Sequence, residues 1–432
     1  MTILATASPR ITSEFHSIDQ TGWYDSSFFL TLAAFQSFWG KLYRYCNLKY
    51  TFISASAVFE LGSLICAVSK DSTSLIMGRS VAGYTGLFGV SYALASVAGQ
   101  LLGGVFTDTI SWRWCFYVNL PIGGFSAALI LLSFKPPASA KPAKAPLREI
   151  LLQLDVPGAI AILGALLTVV FFAIQFWQGE RTSLIPRILT DRVIFGIAMF
   201  AFFQNGVNFF FSYYIPLYFQ TVGGYSAAQS GLYNLPLIFG ACLFAIVSGF
   251  IIIKFDYPTS YMSFGSMIFV IGSGLMYTLG LTSSLSKAMG YQVLLGIGQG
   301  LAIQVPVITS QDSAKPQDIS STTAVILFFQ MTGGVICISA GQPIFANRLL
   351  QSLHVIAPNV DATGNHVLAI GAANIRGQIP GEQVAVVLDS YVRDIKDNLA
   401  LGVALAGVAF LASWIMPVRS LRVVAARGRG GS

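Results

Sequence analysis

Apolar residues occur in long runs separated by short polar segments along the whole chain. A helix that crosses the ~30 Å hydrocarbon core of a bilayer needs about 20 mainly apolar residues. Eleven stretches come near or exceed that length: residues 23–39, 50–68, 75–106, 114–134, 156–176, 193–219, 232–253, 262–281, 288–310, 322–344 and 399–416. The pattern predicts an all-α polytopic membrane protein with about eleven spans.

The composition supports this class and excludes others. Of the 432 residues, 54% are hydrophobic and 10% are charged, whereas an average soluble domain has roughly 25% charged residues. Such a chain cannot cover a water-facing surface of its size, which excludes a soluble enzyme, a disordered tail and a nucleic-acid-binding protein. The net charge of +7 comes from residues dispersed between apolar stretches, where Lys and Arg report membrane orientation.

The stretches and loops divide the chain into five segments. We expect an N-terminal helical half at 1–134, with an incomplete first span and a fused stretch at 75–106, followed by a cytoplasmic-type linker at 135–155. A C-terminal helical half follows at 156–346. We then expect a long extracytoplasmic loop at 347–398, which contains an amphipathic helix at 381–397, and a last span with a basic cytoplasmic tail at 399–432. The linker is rich in Pro, Ala and Lys, as flexible connections are.

Positive charges predict the orientation but leave one anomaly. If every stretch crosses once, most Lys and Arg residues between stretches fall on one face, which is predicted to be cytoplasmic. The cations of the linker (Lys135, Lys141, Lys144 and Arg148) fall on the other face. Two irregular stretches, 75–106 and 156–176, flank the linker. A crossing lost at each of them would explain the anomaly.

Several specific motifs point to one family. They are TSEF at 12–15, GWY at 22–24, SWRWCFYVNLPIGG at 111–124, YYIPLYFQ at 213–220, SAAQSG at 226–231 and NLP at 234–236. Together they resemble the fourteen-span drug:proton antiporters of the major facilitator superfamily. Within that family, the chain looks most like the fungal efflux pumps that export toxins and other secondary metabolites. The resemblance covers nearly the whole chain and implies a major-facilitator-like helical bundle of two halves.

Compared with that family, the chain lacks about three spans. Residues 2–9 resemble the end of the first-span motif, whose acid would precede Met1. The motif L-x-x-x-R-x-x-x-G at 75–83 runs directly into fifth-span residues from Tyr84. A segment at 156–175 begins like the seventh span, and 176–188 continues like the end of the eighth. We therefore expect a truncated or alternatively spliced antiporter, with a faulty gene model as an equal alternative.

The resemblance implies a secondary active transporter that exports small lipophilic compounds by proton antiport. It also implies a monomer that uses no ATP and no other cofactor, with the plasma membrane favoured over the vacuolar membrane. The alternative function is a truncated, non-transporting relative. No P-loop motif occurs, and the G-x-G-x-G run at 296–300 has neither the preceding strand nor the following acid of a nucleotide site.

Metal binding and enzyme activity are not expected. The five cysteines are far apart, without a C-x-x-C pair, and the three histidines lie outside the apolar stretches. The sequence has no nucleophile–base cluster either.

Glu60 and Arg79 are the candidate proton-coupling residues. Both lie inside apolar stretches, and ionisable residues inside a membrane are costly and mark functional pathways. Glu60 could exchange a proton, and Arg79 could stabilise the charged form of Glu60 or bind an anionic group. The alternative is a static Glu60–Arg79 pair that only fixes two helices together.

Five residues match the spacing of the family's antiporter motif, which implies a gating role. They are Gly86, Gly99, Gln100, Gly103 and Gly104. Glycines allow helices to approach closely and bend, and plain packing is the alternative. Gln100 replaces the proline of the motif, which would kink the helix.

Four amide side chains are candidates to line a substrate cavity. Gln204 and Asn208 are four residues apart and share a helix face, and Gln304 and Gln330 lie in later stretches. A pocket for a lipophilic ligand is mostly apolar with a few polar anchors. Hydrogen bonding between helices is the alternative role for these amides.

Overall fold

The computed structural model of the protein describes residues 2–15, 24, 27–32, 35, 42, 46–83, 92–133, 186–255, 257–314, 318–356 and 381–415. All regular elements of these residues are helices. They are α1 (Thr2–Phe15), α2 (Leu48–Ala67), α3 (Ser72–Gly83), α4 (Tyr92–Thr109), α5 (Trp114–Tyr117), α6 (Asn119–Ser133), α7 (Pro186–Leu189), α8 (Arg192–Thr221), α9 (Ala227–Tyr233), α10 (Leu235–Phe255), α11 (Pro258–Tyr277), α12 (Leu285–Ile303), α13 (Val305–Ser313), α14 (Ile319–Ile356) and α15 (Gly381–Ser413).

Eight segments of the described chain are long and apolar enough to cross a membrane. They are Lys49–Ala67, Trp114–Ser133, Arg192–Thr221, Ala227–Ile252, Pro258–Tyr277, Leu285–Ser313, Ser321–Gly341 and Val387–Ser413. Each corresponds to one predicted stretch. A helix satisfies its backbone hydrogen bonds internally, which a segment in lipid requires. The predicted all-α polytopic fold is therefore confirmed.

Three predicted stretches, 23–39, 75–106 and 156–176, do not correspond to any of these eight segments. Stretch 156–176 lies outside the described residues, as does most of stretch 23–39. Stretch 75–106, which was predicted to be one fused element, is described in two parts, α3 up to Gly83 and α4 from Tyr92, and residues 84–91 lie outside the described residues. The two helices pack against different neighbours, α3 against α2 and α4 against α1 and α9.

Large apolar side chains cover the outer surface of the helices. Leu132 is 87% exposed, Phe125 72% and Phe250 71%. Helix α6 has no buried residue although its sequence is almost entirely apolar. A water-soluble protein rarely exposes such contiguous apolar patches, so these faces are the ones that contact lipid.

Polar residues at the ends of the helices set where the helices begin. Asp191 accepts hydrogen bonds from the amides of Val193 and Ile194 at 2.8 and 3.2 Å, which starts α8. Ser226 and Gln229 form a reciprocal capping box at the start of α9. Such caps satisfy amides that have no partner within the helix.

Glycines bring α12 between two neighbouring helices. A Cβ on Gly296 would lie 2.4 Å from the Leu237 carbonyl oxygen of α10, and one on Gly298 would lie 2.4 Å from the Phe269 amide nitrogen of α11. The G-x-G-x-G run therefore packs helices at close range, a common role of small residues in membrane spans.

The region predicted as a long polar loop, 347–398, is helical over much of its described length. Helix α14 continues to Ile356, and α15 begins at Gly381 and runs unbroken to Ser413. The amphipathic helix predicted at 381–397 and the last predicted span thus form one helix, because no Gly or Pro interrupts the chain at their junction and Asn398 there is buried.

Helices α1–α6 contact helices α7–α15 along two lines. Helix α4 packs on α9 and α10, and α1 packs on α8 and α9. A mixed apolar cluster joins Phe28 and Phe29 to Phe209 of α8 and Met331 of α14, with the Phe29 and Phe209 ring centroids 4.5 Å apart.

Candidate functional site

Glu60 lies at the interface between α2 and α6. A Cβ on Gly123 would lie 1.6 Å from Glu60 Oε1, so only glycine leaves room for this carboxylate. Its Oε2 atom is buried and has no hydrogen-bond partner among the described residues. One turn away, the Asn119 amide donates to Ser63 Oγ at 3.2 Å across the same interface.

Arg79 is held on a different face of the N-terminal helices. It is 5% exposed, and its Nε donates to the Tyr24 carbonyl at 2.9 Å. The guanidinium carbon lies 4.5 Å from the centroid of the Phe28 ring. Arg79 therefore fixes α3 against the segment that contains Tyr24 and Phe28.

The structure does not join Glu60 to Arg79 in an ion pair. Helices α2 and α3 meet instead through small residues, because a Cβ on Gly62 would lie 2.3 Å from the Ala82 amide nitrogen. Glu60 faces α6, whereas Arg79 faces Tyr24. The static Glu60–Arg79 pair considered as an alternative is not formed.

The candidate gating residues lie on α4, apart from one. Gly86 falls in a part of the chain that is not described, and for Gln100 only the helical backbone is described. Gly99 is half-buried and Gly103 is buried. The Gly103 carbonyl accepts a hydrogen bond from Thr107 Oγ1 at 2.6 Å.

Gly104 forms the closest approach between α4 and α9. A Cβ at this position would lie 2.3 Å from Ala228 Cα. One turn later, Asp108 Oδ2 accepts a hydrogen bond from the Ala228 amide at 2.8 Å. A backbone contact and a charge-assisted hydrogen bond thus connect the two groups of helices at one place.

The candidate cavity amides form a buried group on α8 and α14, with one exception. Gln204 Nε2 donates to Gln299 Oε1 at 2.9 Å, and Asn205 Nδ2 donates to the Gln330 carbonyl at 3.2 Å. Asn208 is buried one turn after Gln204. Gln204 Oε1 and Gln299 Nε2 are buried without a hydrogen-bond partner among the described residues.

Gln304 stands apart from this group. It is exposed and occupies the break between α12 and α13, where Pro306 follows. Its carbonyl accepts from the Ile308 amide at 3.2 Å. Its position therefore indicates a local role in the helix break.

Two buried polar residues, Gln299 and Asp394, were not among the site residues predicted from the sequence. Gln299 lies inside the G-x-G-x-G run, between Gly298 and Gly300. Asp394, 1% exposed on α15, lies in the segment predicted to be a polar loop. The four-residue spacing of Ser390, Asp394 and Asn398 was the available signal, because residues at that spacing share a helix face.

A polar cluster joins the ends of α1 and α4 with the connection between α2 and α3. Glu14 accepts hydrogen bonds from Trp112 Nε1 at 2.6 Å and Arg113 Nη1 at 2.9 Å, and Arg113 Nη2 donates to the Ser69 carbonyl at 3.0 Å. Partial burial raises the pKa of Glu14, but these hydrogen bonds and the attraction to Arg113 together outweigh it and leave the pKa below the usual 4.5.

The described residues contain no group of three His, Cys, Asp or Glu side chains arranged to hold a metal ion. All five cysteines are free thiols.

The helices, the apolar surface and the buried ionisable groups define a polytopic helical membrane protein. The sequence profile of the Major Facilitator Superfamily matches residues 79–337, and the chain belongs to this superfamily. Its members are transporters and not enzymes.

The relatives are fungal proteins that align along nearly the whole chain. An MFS-type transporter, GME11371, from Pestalotiopsis microspora is 36% identical over 99% of this chain and 88% of its own length. The efflux pump roqT from Penicillium rubens is 37% identical over 98% and 88%. The efflux pump aunC from Aspergillus niger is 36% identical over 97% and 89%. The resemblance to fungal efflux pumps is confirmed.

Solved transporter structures share the fold. A bacterial homolog of the human lysosomal transporter Spinster, inward-facing and occupied, has a TM-score of 0.60 at 12% identity and covers 96% of this chain and 94% of its own. A mutant of the nucleoside transporter NupG has a TM-score of 0.58 at 8% identity and covers 96% and 99%.

Internal gaps separate this chain from its relatives. The alignment with the Pestalotiopsis transporter spans 484 positions, whereas this chain has 432 residues. At least 52 aligned positions therefore have no counterpart here. That length corresponds to about two membrane crossings with their connections.

Proposed function

We propose that the protein is a secondary active transporter that exports small lipophilic compounds, such as a drug, a mycotoxin or another secondary metabolite, in exchange for protons. The observation that carries the export direction is the set of relatives named efflux pumps, at 36–37% identity over nearly the whole chain. Protons, rather than ATP, supply the free energy in this proposal. The protein acts as a monomer in the plasma membrane.

Glu60 is the proposed proton-exchanging group of the N-terminal helices. It lies in the middle of a candidate span, and its Oε2 atom is buried without a described hydrogen-bond partner. Ionisable side chains in such positions mark ion and proton pathways. Because Arg79 contacts Tyr24 rather than Glu60, its proposed influence on Glu60 acts through the packing of α2 against α3.

The buried amides of α8, α12 and α14 are proposed to anchor the cargo. Gln204 offers an acceptor and Gln299 a donor that no described residue uses. The surrounding side chains are largely apolar, and pockets for lipophilic ligands combine an apolar lining with a few polar anchors. Asn208 and Gln330 complete the proposed set.

Gating is proposed to occur where α4 meets α9. Alternating access requires one group of helices to rock against the other. Gly104 and Asp108 make the contact with Ala228 that such a movement would open. Gly99 and Gly103 lie on the same helix and allow it to pack closely.

Transport in reconstituted vesicles tests this function. Purified protein in liposomes with an imposed pH gradient is expected to accumulate a lipophilic rhodamine dye, and Glu60→Gln is expected to lose this accumulation because the amide cannot exchange a proton. Asp71→Asn, at an exposed connection between α2 and α3, is the control and should behave as the wild type. Unchanged accumulation by Glu60→Gln would remove Glu60 from the mechanism.

The missing alignment positions favour a second candidate, a relative that does not transport. We place the missing segments at residues 83/84 and 175/176, where family motifs run into one another. Expression in a pump-deficient yeast separates the two functions. Resistance to the dye supports export, whereas sensitivity at a normal protein level in the plasma-membrane fraction supports the non-transporting alternative.

A further inference from the structure

Two buried amide side chains lie outside the set of cargo anchors proposed above. Asn234, where α9 meets α10, and Gln292, on α12, are both 0% exposed, and they lie within the candidate spans Ala227–Ile252 and Leu285–Ser313. The nitrogen and the oxygen of each amide have no hydrogen-bond partner among the described residues. Buried polar groups are nearly always hydrogen-bonded, because an unsatisfied one is costly. These atoms therefore indicate a place where the protein binds a polar group.

The two amides lie at the same level of two parallel helices. A Cβ on Gly296 of α12 would lie 2.4 Å from the Leu237 carbonyl oxygen of α10, and one on Gly300 would lie 2.4 Å from the Ala241 carbonyl oxygen. The contact thus advances by one turn on both helices together, so the helices run in the same direction. One turn before the contact of Gly296 with Leu237, this register places the two amides beside each other, although they do not bond to each other.

Gln292 also shares a helix face with Gln299, which belongs to the proposed cargo anchors. Their separation in the sequence is close to two turns of an α-helix, which places the two side chains on one face and about 10 Å apart along the axis. Gln299 accepts a hydrogen bond from Gln204 of α8 at 2.9 Å. Leu295 lies between the two glutamines, is 0% exposed, and belongs to the same apolar cluster as Phe211 of α8. Two polar pairs are therefore separated by an apolar section.

The helices that carry these amides favour an uncharged ligand group. Helices α8, α9, α10 and α12 contain no acidic residue, and their basic residues lie at helix ends: Arg192 is the first residue of α8, Lys254 lies in the last turn of α10, and Lys287 lies in the first turn of α12. Lys287 is exposed. An ionised group between the amides would lack a counter-ion and lose its hydration, which is costly. A neutral amide, carbonyl or hydroxyl group can bond to them without that cost.

We propose that Asn234 and Gln292 form a second polar subsite of the cargo site, beside the anchors at Gln204 and Gln299. A cargo that fits both subsites carries two uncharged hydrogen-bonding groups about 10 Å apart on an apolar frame. Each pair of amides offers both a donor and an acceptor that no described residue uses. The cargo reaches the enclosed amides when the helices move during alternating access. This inference rests on the proposed export function and names the class of its substrate.

Calorimetric binding of two synthetic probes to the purified full chain in detergent tests the subsite. One probe is octane with an acetamide group at both ends, whose methylene chain spans the distance between the two pairs, and the other has an acetamide at one end only. The wild type is expected to bind the diacetamide about tenfold more tightly, because the second amide adds hydrogen bonds. Gln292→Met keeps the length of the side chain without its amide and should abolish this preference. Gln311→Met, at an exposed position of α13, is the control and should retain it.

The outcomes separate this inference from the proposed function. Should Gln292→Met fail to fold, Asn234→Leu removes the other amide and is expected to lower the preference for the diacetamide as well. If the wild type binds neither probe, or binds both equally, the subsite is refuted, because water or packing alone then accommodates the two amides. A preference that both variants retain refutes it too. If the wild type accumulates no dye in liposomes but the preference depends on Gln292, proton-coupled export fails and the subsite stands.

Discussion

At the scale of single residues, Glu14 and Arg113 show how two distant sequence motifs meet. Glu14 belongs to TSEF and Arg113 to SWRWCFYVNLPIGG, and their side chains are 2.9 Å apart. Trp112 adds a second hydrogen bond to the same carboxylate, and the Arg113 guanidinium lies 4.4 Å from the Trp112 ring centroid. The two motifs therefore share one cluster that ties α1 to the end of α4.

This cluster makes stability depend on pH. Because the pKa of Glu14 in the folded protein lies below its ordinary value of 4.5, the stabilising contribution is complete above pH ~4.5 and is lost as the pH falls through the lowered value. As the pH falls from about 6 to about 3.5, the free energy of unfolding of the wild type in detergent should decrease by about 0.5–1 kcal/mol more than that of Glu14→Gln. The effect is small because the Glu14–Arg113 pair is partly exposed. Thermal unfolding at each pH measures this difference. Asp389→Asn should follow the wild type, and identical pH profiles for wild type and Glu14→Gln would contradict the assignment.

Single residues also show what the sequence could reveal about the site. Glu60 and Arg79 stood out because charged residues inside apolar stretches are rare. Their relative position could not be predicted, because it depends on the rotation of α2 and α3 about their axes, which small residues such as Gly62 determine. Asp394 was missed because the neighbouring charged residues make its segment polar on average, although it lies on the buried face of a helix.

At the scale of elements, the length and polarity of the stretches were sufficient to predict the helices. Eight predicted stretches correspond to eight candidate spans. For stretch 75–106, the described parts are α3 and α4, and residues 84–91 between them lie outside the described residues. The apolar pattern carries no information about the neighbours of these helices, which differ, since α3 packs on α2 while α4 packs on α1 and α9.

Helix α12 gives the clearest test of how glycines build these elements. Gly298→Leu would place a side chain where a Cβ already lies 2.4 Å from the Phe269 amide nitrogen, and overpacking of this kind costs about 1–3 kcal/mol. We expect a lower unfolding temperature and less monodisperse protein in size-exclusion chromatography. Gly290→Leu is the matched control on the same helix, because a Cβ there meets no atom within 4 Å. Equal losses in the two variants would show that the close packing at Gly298 is not what stabilises α12.

At the scale of the whole molecule, transport by rocking requires that helices α1–α6 and α7–α15 can both contact each other and separate. The contact between them must therefore stabilise the closed arrangement only moderately relative to the open one. The contact of α4 with α9, proposed above as the gate, combines a close backbone approach at Gly104 with a hydrogen bond from the Ala228 amide to Asp108. The absence of a side chain at Gly104 permits closure. In this proposal, opening breaks the hydrogen bond between the Ala228 amide and Asp108.

Gly104→Leu is therefore expected to hold α4 and α9 apart. The probe is a cysteine at position 227, in a chain whose native cysteines are replaced; Ala227 is 8% exposed in the wild type. This cysteine should react with a membrane-impermeant maleimide about tenfold faster in the Gly104→Leu background. A shift of ~1.4 kcal/mol in the open–closed equilibrium changes the open population by that factor. Dye export should fall in the same variant. Gly249→Leu, where a Cβ meets no atom within 4 Å, should change neither quantity. If the reactivity of the cysteine and the export rate both match those of the control, the α4–α9 contact does not open and close during transport.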